Sequence, residues 1–136
     1  MGVFKYFGPK CTLFGYGCLE GLGQELVSAG YKKALIVTDR SLIELGIVGK
    51  VTEVLERYRI EFSVFDGVNP NPDCYDVNNG LSAVKEHHCD FLISIGGGSA
   101  HDCAKAVAIL AANGGNILDY KGTDQSKVPA LPYWLY

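Results

Sequence analysis

The residues best suited to chemistry in this sequence are three glycines and a serine, Gly96-Gly97-Gly98-Ser99, with Asp102 three positions further on. An apolar run enters the glycines and an alanine-rich run leaves them, which is the order strand, turn, helix. Such a turn lets the main chain approach an anion closely, and the helix behind it offers unpaired N–H groups and a partial positive charge. A pyrophosphate suits that description. Ser99 and Asp102 stand at the S-x-x-D spacing of a capping box, which predicts that Ser99 starts the helix and has a hydroxyl to share with phosphate.

Asp39 closes a second apolar run, Ala34-Leu35-Ile36-Val37-Thr38. An acid just past a core strand is placed to hydrogen-bond the two ribose hydroxyls of an adenosine and to repel a 2′-phosphate, which favours NAD over NADP. The same residue also suits an N-cap before Arg40 and Ser41. The acid precedes the glycines, the reverse of the G-x-G-x-x-G arrangement. Gly15, Gly17 and Gly21, which resemble that fingerprint, are read as turn and packing positions. His87-His88-Cys89 reads as cations at a helix C-terminus beside a core thiol, since neighbours on a helix point apart. His101 falls in the first turn after the glycines, facing solvent or cofactor. No set of nucleophile, base and orienting group is indicated, so no catalytic or metal-binding residue is expected in this chain.

The elements that would position these residues follow from periodicity. Leu19, Leu22, Leu26 and Val27 predict a helix over 18–29, closed by Gly30. Residues 34–38 read as a parallel core strand, 41–45 as a short helical turn, and Val48, Val51, Leu55 and Tyr58 as one helix face. A strand over 62–65 leads into Asn69-Pro70-Asn71-Pro72, which must be a loop, with Asp73 as the next N-cap. Val77, Leu81 and Val84 mark a helix to His87 or His88, then come a strand over 91–95 and a helix over 100–112 ended by Gly114-Gly115. Alternating strands and helices predict an α/β fold, a Rossmann-like parallel sheet with helices on both faces. One domain over 1–136 is expected, with 116–136 a partly ordered tail.

A chain of 136 residues, 48% hydrophobic and 20% charged, is large enough for one domain with its own core. The net charge of −3, with scattered Lys and Arg, lacks the basic stripe that nucleic acid requires. No apolar run of membrane-spanning length occurs, Lys5 and Lys10 precede no signal-type apolar region, and a cytoplasmic location without membrane contact is expected. Five cysteines without a C-x-x-C pair suggest reduced thiols.

Several stretches carry a family resemblance: Phe14-Gly15-Tyr16-Gly17, Leu35-Ile36-Val37-Thr38-Asp39, Phe65-Asp66-Gly67-Val68 with Asn71-Pro72, and the run from Cys89-Asp90 through Gly96-Gly97-Gly98-Ser99-Ala100-His101-Asp102 to Ala106. On them the chain resembles the N-terminal, NAD-binding half of the iron-containing (group III) alcohol dehydrogenases, from about Phe4 to Pro132. That family includes methanol, 1,3-propanediol and lactaldehyde-reducing enzymes and has a dehydroquinate synthase-like N-terminal domain. The related glycerol dehydrogenase and dehydroquinate synthase group shares the glycines, but Ser99 with His101-Asp102-Cys103 favours the alcohol dehydrogenases.

The resemblance implies that Gly96, Gly97, Gly98 and Ser99 form the NAD pyrophosphate site, that Asp39 meets the adenosine ribose, and that Asp102 lies near the nicotinamide end. It also implies a homo-oligomer and, in the full-length family, hydride transfer between NAD and a primary alcohol or diol. The family's iron, sometimes zinc, sits on one aspartate and three histidines of a helical C-terminal domain that is absent from this chain. After Pro132 the family pattern implies a strand and a T-T-x-G-T loop, where this sequence has Tyr133-Trp134-Leu135-Tyr136. The expectation is a truncated chain that does not oxidise alcohols alone. A non-catalytic remnant that binds nucleotide or merely folds is the alternative.

Overall fold

A computed structural model describes residue 11, residues 13–120 and residues 127–136. Thr12, the stretch from Phe4 to Lys10 and residues 121–126 of the expected tail fall outside the described residues. In chain order the elements are α1 (Cys18–Ala29), β1 (Lys33–Val37), α2 (Arg40–Glu44), α3 (Ile47–Arg57), β2 (Glu61–Phe65), α4 (Cys74–His87), β3 (Phe91–Ser94), α5 (Gly98–Asn113), a 3-10 turn (Ile117–Tyr120) and β4 (Tyr133–Leu135).

The strands run parallel in the order β2-β1-β3-β4. Val37 pairs with Phe65 on one side and Ser94 on the other, so β1 and β3 form the buried centre. Alternate residues of these strands enter two separate cores, as a sheet covered on both faces requires. Ala34, Ile36, Phe91 and Ile93 pack with Leu22 and Leu26 of α1 and Val51 and Leu55 of α3. Leu35, Val37 and Leu92 pack on the other face with Val77 and Val84 of α4 and Ala104 and Val107 of α5. The two helices of that second face approach closely at Gly80, where a Cβ would lie 2.7 Å from Cγ2 of Val107. This is the α/β architecture expected from the alternation of strands and helices.

Helix starts follow local chemistry. Asp73 caps α4: its carboxylate accepts from the N–H groups of Tyr75 at 2.9 Å and Asp76 at 3.0 Å, as the sequence predicts. Asp76 returns the bond by accepting from the Asp73 N–H at 3.2 Å, which completes a capping box. At α5 the expectation differs. Gly97 is the N-cap and makes no side-chain cap bond, so α5 begins at Gly98, two residues before the predicted start, and Ser99 and Asp102 form no capping box. A serine already inside the first turn has helical backbone angles, and its side chain is free to bond elsewhere.

The C-terminal residues also differ from their expected role. Tyr133, Trp134 and Leu135 pair in parallel with Leu92, Ile93 and Ser94, so they are the fourth strand and do not stand in place of one. Trp134 packs on the α1/α3 core, while Ala130 and Leu131 pack on the other. Bulky, aromatic residues suit a half-buried pleated surface, and the glycine turn continues this attachment, because the Gly96 N–H donates to the Tyr136 carbonyl at 3.0 Å.

Candidate functional site

The chain leaves β1 toward β2 on one side and leaves β3 toward β4 on the other, with the covering helices on opposite faces. The gap between the C-terminal ends of β1 and β3 is therefore a topological switch point, where open parallel sheets receive ligands. Both sequence-predicted elements meet there. Asp39 follows β1, the glycines follow β3, and a Cβ placed on Gly96 would be 3.9 Å from Oδ2 of Asp39. The strand ends are locked by the buried Thr38 hydroxyl, which donates to the Ile95 carbonyl at 3.0 Å, and by the Ile95 N–H on the Val37 carbonyl at 2.9 Å.

Gly96 has φ +141°, a conformation that L side chains rarely adopt. Its neighbours stand close as well: a Cβ would lie 3.1 Å from Cδ1 of Leu42 and 3.3 Å from Cβ of Ala100. Gly97 and Gly98 are the opposite case, exposed and with open space where a Cβ would go. The N–H groups of Gly98, Ser99 and Ala100 form the first turn of α5, and none has a hydrogen-bond acceptor among the described residues. An anion resting on the two bare glycines meets these N–H groups and the positive end of a 16-residue helix.

Asp39 fills its capping role with one oxygen and leaves the other on the side of the glycine turn. Oδ1 accepts from the Leu42 N–H at 3.1 Å and from the Ser41 hydroxyl, capping α2. Oδ2 is the oxygen that reaches the Gly96 side. The Ser41 hydroxyl holds the Asp39 carboxyl below the ordinary carboxylate range, against a smaller opposing effect of burial and with help from the Leu42 and Ser41 N–H groups. An ionised acceptor beside a cluster of free amides is the donor–acceptor pattern needed for a ribose joined to a phosphate.

Ser99 behaves differently from its sequence reading. Its hydroxyl donates to the Pro70 carbonyl at 2.6 Å, so the proton that phosphate would need is already committed, and the residue offers the site its main-chain N–H. The loop Asn69-Pro70-Asn71-Pro72, read from sequence only as a break, thereby becomes part of the site. Its proline spacing signals a fixed shape, but nothing in the sequence pairs it with a serine 29 positions away. Asp102 is exposed on α5 and lines a groove of about 250 Å³ with Pro72, Cys74, Cys103 and Ile117. It is one turn beyond the glycines.

His101 packs inward: its Nδ1 lies 2.7 Å from Oγ of the fully buried Ser94. The contact holds the ring in place whichever of the two groups carries the proton between them. Burial lowers the His101 pKa, Lys105 lowers it further and Asp102 opposes them. Cys103 is no nucleophile, since burial, reinforced by the Asp76 carboxylate, pushes its thiol up to about 11.

A depression of about 730 Å³ lies at the opposite end of the sheet, lined by Lys32, Lys33, Arg59, Glu61, His87 and His88. Helices α1, α3 and α4 all end there, and cations beside three helix C-termini offset their partial negative charges. Among the described residues no three His, Cys, Asp or Glu side chains come together as a metal site, so these residues do not fit the iron of the family and no step is assigned to it. No helix among the described residues is long and apolar enough to cross a membrane.

Comparison with known proteins matches this arrangement. The family model for iron-containing alcohol dehydrogenase covers residues 9–135. Alcohol dehydrogenase 4 of Schizosaccharomyces pombe is 48% identical over 132 residues, 97% of this chain and 31% of that protein. NAD-dependent methanol dehydrogenase of Bacillus methanolicus is 39% identical over 128 residues, 94% of this chain and 34% of that protein. The crystal structure of a 1,3-propanediol oxidoreductase superposes with a TM-score of 0.94 at 36% identity, covering 98% of this chain and 35% of the other. The chain thus spans about a third of the length of the relatives it matches. Matched by that family model over nearly its whole length, the chain belongs to the iron-containing alcohol dehydrogenase family.

Proposed function

We propose that this chain is the nucleotide-binding part of an NAD-dependent alcohol dehydrogenase, with the pyrophosphate on the α5 amides and the adenosine ribose on Asp39. The observation that carries the reading is the meeting of an ionised Asp39 carboxylate and three free amides at one switch point. NAD would supply the hydride acceptor for a primary alcohol or diol. The residues of this chain hold and orient it: Gly97 and Gly98 leave room for the phosphates, the Gly98, Ser99 and Ala100 amides neutralise them, and Asp39 selects a free 2′-hydroxyl.

Asp102, one turn along α5, is assigned to the nicotinamide side. Its exposed side chain lines a groove with Pro72 and Ile117, which leaves it open to a ligand. Lewis-acid help with the alcohol oxygen belongs to metal ligands that these residues do not provide, so this chain alone is expected to bind nucleotide without oxidising alcohol. Assembly into a homo-oligomer and a place in the cytoplasm complete the proposal, the latter supported by five cysteines in the free thiol form.

Titration with NADH, followed by the enhancement of its fluorescence, tests the reading directly. The expected result is saturable binding with NADPH at least about tenfold weaker, a difference of one repelled phosphate contact. Asp39→Ala should narrow that gap. If discrimination against NADPH were unchanged in the variant, the ribose role of Asp39 would be wrong.

A further inference from the structure

The Asp76 carboxylate is 2% exposed, and it takes part in no ion pair among the described residues. A carboxyl group withdrawn from water needs hydrogen bonds to replace its hydration. One comes from the Asp73 N–H in the capping box, which by itself requires neither burial nor a second donor. The other comes from across the loop, where Nδ2 of Asn69 donates to Oδ1 at 2.7 Å. These two donors bracket Pro70, Asn71 and Pro72 and close the chain into a bend.

That bend touches the glycine turn, because the Pro70 carbonyl accepts from the Ser99 hydroxyl at 2.6 Å. Its upstream end is pinned to Asp39 through a bridge between Asp39 and Gly67, and Arg40 reaches Asp66 at 3.5 Å. Strand β2 lies on the far side of β1 from β3, so the segment passes over the C-terminal end of β1 to reach α4. It runs from the acid of the candidate site to the amides, held at both ends by bonds that neither group makes for the sake of its own helix.

We propose that Asp76 is a positioning residue: through Asn69 it sets the bend at Pro70, and through Ser99 that bend sets the aim of the first amides of α5. The effect on nucleotide affinity rests on the function proposed above, whereas the mechanical coupling between bend and turn does not. The Ser99 hydroxyl is accordingly a latch and makes no contact with phosphate.

The test uses the 136-residue chain and the variants Asn69→Ala and Ser99→Ala, both at exposed or half-buried positions, with the buried Asp76→Asn as a third. NADH titration should show about fivefold weaker binding for each of the first two, the worth of one ordinary hydrogen bond, and no further loss in the double variant, since both break one chain of contacts. Additive losses, about 25-fold in the double variant, would mean that Ser99 contacts phosphate independently and would overturn the proposal. So would unchanged affinity in a folded Asn69→Ala variant whose thermal midpoint has merely fallen. If the unaltered chain bound no NADH, the nucleotide reading would fall, and amide hydrogen exchange would decide the coupling alone. Faster exchange at His101, whose N–H donates to the Gly97 carbonyl at 3.1 Å and so reports the first turn of α5, in Asn69→Ala and Asp76→Asn upholds it, and unchanged exchange overturns it.

Discussion

A methyl group at Gly96 would have to fit between Leu42 and Ala100 at a φ of +141°. The Leu42 side chain can turn aside, but Ala100 cannot, because it belongs to the first turn of α5 and is 2% exposed. Gly96→Ala is therefore expected to cost about 1–3 kcal/mol of stability and to displace the turn, abolishing NADH binding, read by urea denaturation and by titration. Alanine at Gly98, where a Cβ meets open space, should leave stability within about 1 kcal/mol and act on the ligand alone. A Gly96→Ala chain that kept normal affinity would show that the turn tolerates strain.

His101 makes the residue scale sensitive to pH. Its folded-state pKa is lowered, chiefly by burial, so the unfolded chain takes up the proton first as pH falls. The stability it contributes is present above the ordinary histidine value of about 6.5 and is lost as pH drops toward the lowered folded value. Urea midpoints measured between pH 8 and pH 5 should fall more steeply for the native chain than for His101→Gln. Equal slopes would assign the decline to other groups.

At the scale of elements, α4 and α5 determine how firmly the site is backed. They meet at Gly80, and a Cβ there would overlap Cγ2 of Val107, whose β-branched side chain has few alternative rotamers. Gly80→Ala should cost about 1–3 kcal/mol through overpacking, despite the better helix propensity of alanine. A stabilised variant, measured as a higher thermal midpoint, would show that the two helices can separate. The helix starts illustrate what sequence can give at this scale. Asp73 was legible as a cap because the cap, its loop and its first turn are contiguous. Ser99 was misread as one because a local S-x-x-D pattern does not reveal that a carbonyl 29 positions earlier competes for the hydroxyl.

For the whole molecule, the last described residues belong to the sheet. Residues 133–135 add a strand to the sheet beside β3, and the Tyr136 N–H and carbonyl bond Ser94 and Gly96. Deleting residues 133–136 removes those bonds and the half-buried Trp134, and should lower stability by about 2–4 kcal/mol and weaken NADH binding, because Gly96 loses its support. A deletion with an unchanged urea midpoint would show that these residues contribute nothing to the stability of the sheet.

The sequence by itself determined the parallel α/β fold, the two apolar strands that lead to Asp39 and Gly96, and the family, since each rests on contiguous residues whose spacing repeats the geometry of one element. Tertiary structure alone decided that β1 and β3 are neighbours, that Asn69 reaches Asp76 across a loop whose Pro70 carbonyl takes the Ser99 hydroxyl, that His101 packs inward on Ser94, and that Tyr133–Leu135 is a strand. These depend on contacts between residues brought together by chain crossing. A strand order of 2-1-3-4 fixes which loops meet, and no local pattern carries that order.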